Sequence, residues 1–172
     1  GQPLEVESKI TSTGGSYSLV VLPHERGERV LYATSVGSAT APAAITANVP
    51  STWSSRQNRA DFVIISHSRF IDAVAPLVAQ RNAQGIETVV VNVEDVFDEF
   101  GYGSKSPDAI RDFLQFTQTH WLKAPRHAML VGDASFDPRN YIGYGDHDLI
   151  PTRYLPTVYM KAASDDWLAD FD

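Results

Sequence analysis

Hydrophobic and polar positions change rhythm near residue 60. Before it, "SYSLVVL" (16–22) alternates, placing Tyr17, Leu19 and Val21 on one face of a strand. "ERVLYATS" (28–35) follows after "PHERG", a short stretch ending in Gly27, and the pair predicts a hairpin. Residues 37–60 are rich in Ala, Ser, Thr and Pro. They predict extended connector with a short strand at Ala44–Val49.

After residue 60 the runs lengthen. "DFVIIS" (61–66) is continuously apolar, as in a strand covered on both faces. In "RFIDAVAPLVAQRNAQG" (69–85), Phe70, Val74, Leu77, Val78 and Arg81 fall at helical spacing, and Gly85 is a stop signal. Pro76 either kinks that helix or opens its main part from the first turn. "IETVVVNV" (86–93) is β-branched and predicts a second strand. "EDVFDEFG" (94–101) predicts a short acidic helix. In "SPDAIRDFLQFTQTHW" (106–121), Ser106 suits the N-cap, Pro107 the first helical position and Asp108 the positive end of the dipole. Ile110, Phe113, Leu114, Thr117 and Trp121 share one face. "RHAMLVG" (126–132) predicts a third strand. "IPTRYLPTVYM" (150–160) predicts edge-type extended chain, because its prolines exclude the middle of a sheet. Alternating strands and helices predict an α/β class: a parallel sheet with helices on both faces, preceded by a short β-rich segment. The expected division is a hairpin and leader at 1–59 and an α/β subdomain at 60–172.

Charge sharpens the division. Residues 1–60 carry +1 and residues 61–172 carry −8 within a total of −7. An acidic second part gives no basic footprint for nucleic acid. No apolar run reaches membrane-span length. There are no cysteines among the 172 residues, so this chain holds no disulfide framework, thiolate metal site or cysteine nucleophile.

Ligands of open parallel sheets bind beyond the carboxyl ends of the strands. His67, Asp95 and Asp133 fall at such ends, and Asp137, Asp146 and Asp148 follow Asp133 closely. Asp165, Asp166, Asp170 and Asp172 close the chain. Two readings stand for "GDASFDP". Asp133 and Asp137 are ligands of a divalent cation, calcium first, or they cap turns. Turn chemistry is the stronger reading for Asp137. His67 is an acid/base candidate by position, against a packed turn histidine. His147 in "GDHD" is a ligand candidate, against a solvated loop. "GYGSKS" (101–106) lacks the spacing of a phosphate loop and reads as loop plus helix cap.

The order of "DFVIISHSRF…THW" (61–121), "HAMLVGDASFDP" (127–138), "IPTRYLPT" (150–157) and "SDDWLADFD" (164–172) resembles the gingipain-like cysteine peptidases. The resemblance runs from about Ala60 to Asp172. It implies a caspase-like fold, of which this chain is the first subdomain with a β-rich leader. The implied Cys/His dyad lies beyond Asp172, so no catalytic residue is assigned in this chain, and the chain alone is expected to be inactive. Ser164 and Asp165 match the segment that approaches the substrate pocket. In arginine-specific members that aspartate faces the basic side chain. The resemblance further implies a secreted or cell-surface location, a bound calcium at the Asp133–Asp137 turn, and two partners: the remaining catalytic subdomain and a peptide substrate. A half unit is expected to expose an apolar sheet edge and to self-associate. Other functions stay open: a non-catalytic binding module, a metal-dependent hydrolase using Asp133, Asp137 and His147, or a small flavodoxin-like phosphate or nucleotide binder.

Overall fold

A computed structural model describes residues 6–22, 30–33, 37, 40–41, 45 and 47–171. The chain forms two compact units, Gly1–Ala47 and Asn48–Asp172.

The first unit contains a hairpin, with a partner other than the expected one. β1 (Ser8–Thr13) pairs antiparallel with β2 (Ser16–Val21), Ser8 opposite Val21. The two-residue turn is Gly14–Gly15, at φ +61° and +83°. Left-handed geometry at both turn positions matches the twist of the strands, and glycine adopts it without steric cost. The expected turn at 23–27 lies outside the described residues. Val30–Ala33 of the expected second strand is not strand, nor are the described residues of 44–49. Tyr17, Leu19 and Val20 are all exposed, so neither face of this ribbon is buried.

The second unit is built on a parallel sheet of three strands in the order β4-β3-β5: β3 (Phe62–Ser66), β4 (Thr88–Asn92) and β5 (His127–Val131). Ile64 stands level with Val90 on one side and Met129 on the other. β3 is central, and Val63, Ile64, Ile65 and Ser66 have no exposed surface. This accounts for its unbroken apolar run.

α1 (Ala75–Ala83) starts with Pro76 in its first turn and packs against β4. Two 3₁₀ turns, Ser68–Phe70 and Asp72–Val74, precede it, so Pro76 opens the helix instead of kinking it. α2 (Val93–Gly101) is capped by Asn92, whose Oδ1 accepts from the Glu94 amide at 3.3 Å. α3 (Pro107–His120) is capped by Ser106, whose hydroxyl accepts from the Ala109 amide at 3.2 Å. The α3 positions Ile110, Phe113, Leu114 and Thr117 are buried, as their spacing requires. They meet Val63, Ile65, Val91, Val96 and Phe97 in one core, closed at one end by Trp121.

The N-terminal ends of the strands are tied by ions and amides. Lys123 Nζ lies 2.5 Å from Asp61 Oδ2 and 3.5 Å from Glu87. The hydrogen bond from Lys123 and the Glu87 amide hold the Asp61 carboxyl below its ordinary value.

Residues 48–60 belong to the second unit, where the sequence suggested a connector. Glu99 on α2 accepts from the Ser51 hydroxyl and from the amides of Trp53 at 2.8 Å and Ser54 at 2.7 Å. The Trp53 indole donates to Asp95 at 3.2 Å, and the Trp121 indole donates to the Trp53 carbonyl at 3.1 Å.

"IPTRYLPTVYM" supplies β6 (Arg153–Pro156), which is not an edge of the parallel sheet. It pairs antiparallel with β7 (Lys161–Ser164) in a separate ribbon. α4 (Asp166–Ala169) follows, with Leu168 in the core.

Candidate functional site

The order β4-β3-β5 makes the chain leave β3 toward one side and return to its other side. The carboxyl ends of β3 and β5 therefore flank a topological switch point, where open sheets of this class bind ligands. The His67 amide donates to the Val131 carbonyl at 3.1 Å across that point.

Gly132 ends β5 and lets the chain between Leu149 and Ile150 cross it closely. A Cβ at Gly132 would lie 2.5 Å from Ile150 Cγ1 and 3.3 Å from Leu149 Cβ. The Asp133 carbonyl accepts from the amides of Leu149 at 2.8 Å and Ile150 at 2.9 Å, closing a loop over 134–148.

Within that loop the aspartates divide by chemistry. Asp137 spends both carboxylate oxygens on turn amides, from Tyr141 at 2.9 Å and Ile142 at 2.7 Å. Asp148 is buried, accepts from the Ser135 amide at 3.0 Å and pairs with Lys105 Nζ at 3.3 Å. Sequence reasoning grouped Asp148 with the carboxylates that follow Asp133. Its signal was the apolar Leu149–Ile150–Pro151 run directly after it. Lys105 is the one charge of the "GYGSKS" loop, and it serves this buried carboxylate. Asp133 keeps an exposed carboxylate, with Oδ1 accepting only from the next amide, Ala134, at 2.9 Å.

Asp133 and Asp165 meet in one cleft of about 230 Å³ at this end of the sheet. Leu130, Gly132, Ala134, Ile150, Pro151, Thr152 and Ala163 complete its lining. Ser164 stands beside it, its hydroxyl accepting from the Trp167 amide at 3.3 Å. Asp165 is exposed, and its carbonyl accepts from the Leu168 amide at 3.0 Å. Among the described residues, its carboxylate has no hydrogen-bond or ion-pair partner.

The other candidates lie apart. His67 Nδ1 accepts from the Arg69 amide at 3.2 Å, capping a turn. Asp95 sits in the first turn of α2, bonded to Trp53. His147 Nε2 lies 2.9 Å from the Tyr144 carbonyl inside the loop. His120 stacks on Phe116, and His24 lies outside the described residues. Among the described residues, no three His, Asp or Glu side chains converge as a cation site would need. The donors at Asp133 and Asp137 fit turn chemistry better than the expected calcium.

Comparison with known proteins bears on the fold and the family. No curated protein sequence matches the chain. Among solved structures, that of dimeric latent PorU from Porphyromonas gingivalis is similar, with a TM-score of 0.52 at 18% identity. The match covers 67% of this chain and 12% of the PorU chain, so this sequence spans a small part of that protein. At that identity the likeness speaks for the fold, a caspase-like α/β arrangement. The sequence model of peptidase family C25 matches residues 55–172. That span takes in the whole parallel sheet, the Gly132 crossing and the Asp165 turn, and the chain belongs to peptidase family C25, the gingipain family.

Proposed function

We propose that this chain is the part of a gingipain-like cysteine endopeptidase that carries one wall of the primary substrate pocket. The observation that carries the reading is the unpartnered Asp165 carboxylate, which shares a cleft with Asp133 at the carboxyl end of the sheet. An exposed carboxylate with both oxygens free pairs with a guanidinium through two parallel charge-assisted hydrogen bonds. A second carboxylate in the same cleft adds to the field that draws a cation. The preferred substrate is a peptide with a basic side chain before the scissile bond.

In the full enzyme a thiolate attacks the peptide carbonyl, a histidine moves the proton, and backbone amides hold the oxyanion. This chain has no cysteine and contributes binding and orientation. The proposal places the protein outside the cell or on its surface, as the resemblance implies.

A protein extended past Asp172 through the next α/β stretch tests the reading. Peptide hydrolysis that stops on thiol alkylation is the expected result. Asp165→Ala then lowers kcat/KM for arginine peptides by about 10²-fold or more, as loss of a charged, bidentate partner costs about 3 kcal/mol. A folded, extended protein without hydrolysis overturns the peptidase reading in favour of a binding module.

A further inference from the structure

Asp165 sits on an element too short to hold itself. α4 spans only Asp166–Ala169, and the β6–β7 ribbon before it has four residues in each strand. Leu168 anchors the turn in the core, and the Trp167 side chain ties it to two neighbouring elements. The Arg111 guanidinium from α3 lies over its ring, 4.7 Å from the centroid, and the Arg153 guanidinium from β6 lies 5.2 Å from it. Arg111 also donates to the Asp170 carbonyl, and Arg153 comes within 3.9 Å of Asp108 on α3. Three elements therefore meet at one indole.

The two arginines create a difficulty for a carboxylate that must stay free. Arg153 stands opposite Ser164 in the ribbon register, one residue before Asp165. By register alone, a long cationic side chain one residue away along the ribbon is a candidate competitor for Asp165. Yet both guanidiniums are engaged elsewhere, by the electron-rich face of the indole together with Asp108 and the Asp170 carbonyl.

We infer that Trp167 is the positioning and selectivity residue of this cleft: its ring occupies Arg153 and Arg111, and so keeps the Asp165 carboxylate unneutralised for a cationic ligand. The inference rests on the reading of Asp165 as a cation partner. Trp167 itself touches no ligand. Without the indole face, Arg153 keeps only its 3.9 Å approach to Asp108, and it then competes with the ligand for Asp165 from inside the protein.

The test uses this chain and two small probes, N-acetyl-arginine amide and its neutral analogue N-acetyl-norleucine amide, titrated while amide signals around Ala163–Asp165 are followed by NMR. The native chain is expected to bind the arginine probe in preference to the neutral one, and Asp165→Asn to abolish that preference. Trp167→Leu is expected to weaken arginine-probe binding about fivefold, the effect of an exposed ion pair forming in competition. Trp167→Phe, which keeps an aromatic face, restores it, and so does Trp167→Leu combined with Arg153→Gln. A purely structural role for Trp167 would leave the double variant as weak as Trp167→Leu.

If Asp165→Asn abolishes the preference while Trp167→Leu binds like the native chain, the inference fails and the reading of Asp165 survives. If the native chain shows no preference, or Asp165→Asn keeps it, both fail. Should Trp167→Leu not fold, Arg153→Gln decides. Little change in affinity means that Arg153 is already held away from Asp165. A gain of tenfold or more means that it is not, and overturns the inference.

Discussion

Gly132 shows how one missing side chain builds the cleft. The crossing of Leu149 and Ile150 over the end of β5 leaves no room for a Cβ, since Ile150 Cγ1 already occupies its contact distance. Gly132→Ala is expected to destabilise the unit by about 1–3 kcal/mol through overpacking. Ile150→Ala removes the offending carbon at the cost of a cavity. The double variant should be more stable than the sum of the single losses, because the two sites share one contact. Urea midpoints of the four proteins measure the coupling, and strict additivity would contradict the geometry. The carboxylates teach the same lesson. Asp133, Asp137, Asp148 and Asp165 look alike in the chain, yet one is exposed and accepts from the next amide, one caps a turn, one is buried against Lys105 and one has no partner among the described residues. Spacing along the chain could not sort them, because burial and partners are properties of space.

At the scale of elements, the segment 51–54 is held by α2 chiefly through one carboxylate, with Asp95 adding a bond to the Trp53 indole. Burial pushes the Glu99 carboxyl up, but hydrogen bonds from Ser51, Ser54 and the Trp53 amide outweigh it and hold it below its ordinary value near 4.5. A carboxyl lowered in the folded state binds fewer protons than in the unfolded state at the same pH. Its contribution to stability is therefore complete above the ordinary value and is lost as pH falls through the folded value. Glu99→Gln should lower the urea midpoint near pH 7, and its deficit should narrow as the solution is acidified below about pH 5. Asp61, lowered chiefly by its hydrogen bond from Lys123, adds acid sensitivity of the same sign that survives in this variant. A Glu99→Gln deficit independent of pH would rule out the latch as the source. The strands and helices of residues 60–131 were legible from period and caps alone: Ser106, Pro76 and Gly85 act where the sequence suggested. The first hairpin was not, although Gly14–Gly15 between two alternating runs is a strong turn signal. A later run that looked like a better partner obscured it.

For the whole molecule, the edge of the parallel sheet matters most. β5 is an outer strand whose first three residues are exposed, Met129 at 39%. Phe136, Tyr141, Tyr144, Val158 and Tyr159 add exposed apolar surface in the second unit. An open parallel edge with exposed apolar neighbours is a template for pairing. Sedimentation velocity should show the chain associating as concentration rises, and Met129→Lys should reduce the effect. A concentration-independent monomer would mean that the edge is blunted by means other than pairing.

The pattern of apolar positions, by itself, determined the α/β class and the parallel strands and helices of residues 60–131. These features depend on periods of two and 3.6 residues and on capping groups within a few positions of each other, so they are written locally. Tertiary structure decided which strands pair, that residues 48–60 fold with the second unit, and that Asp133 and Asp165 share a cleft while Asp137 and Asp148 do not. Those outcomes depend on contacts between residues far apart in the chain, whose energies compete only once the sheet order brings them together.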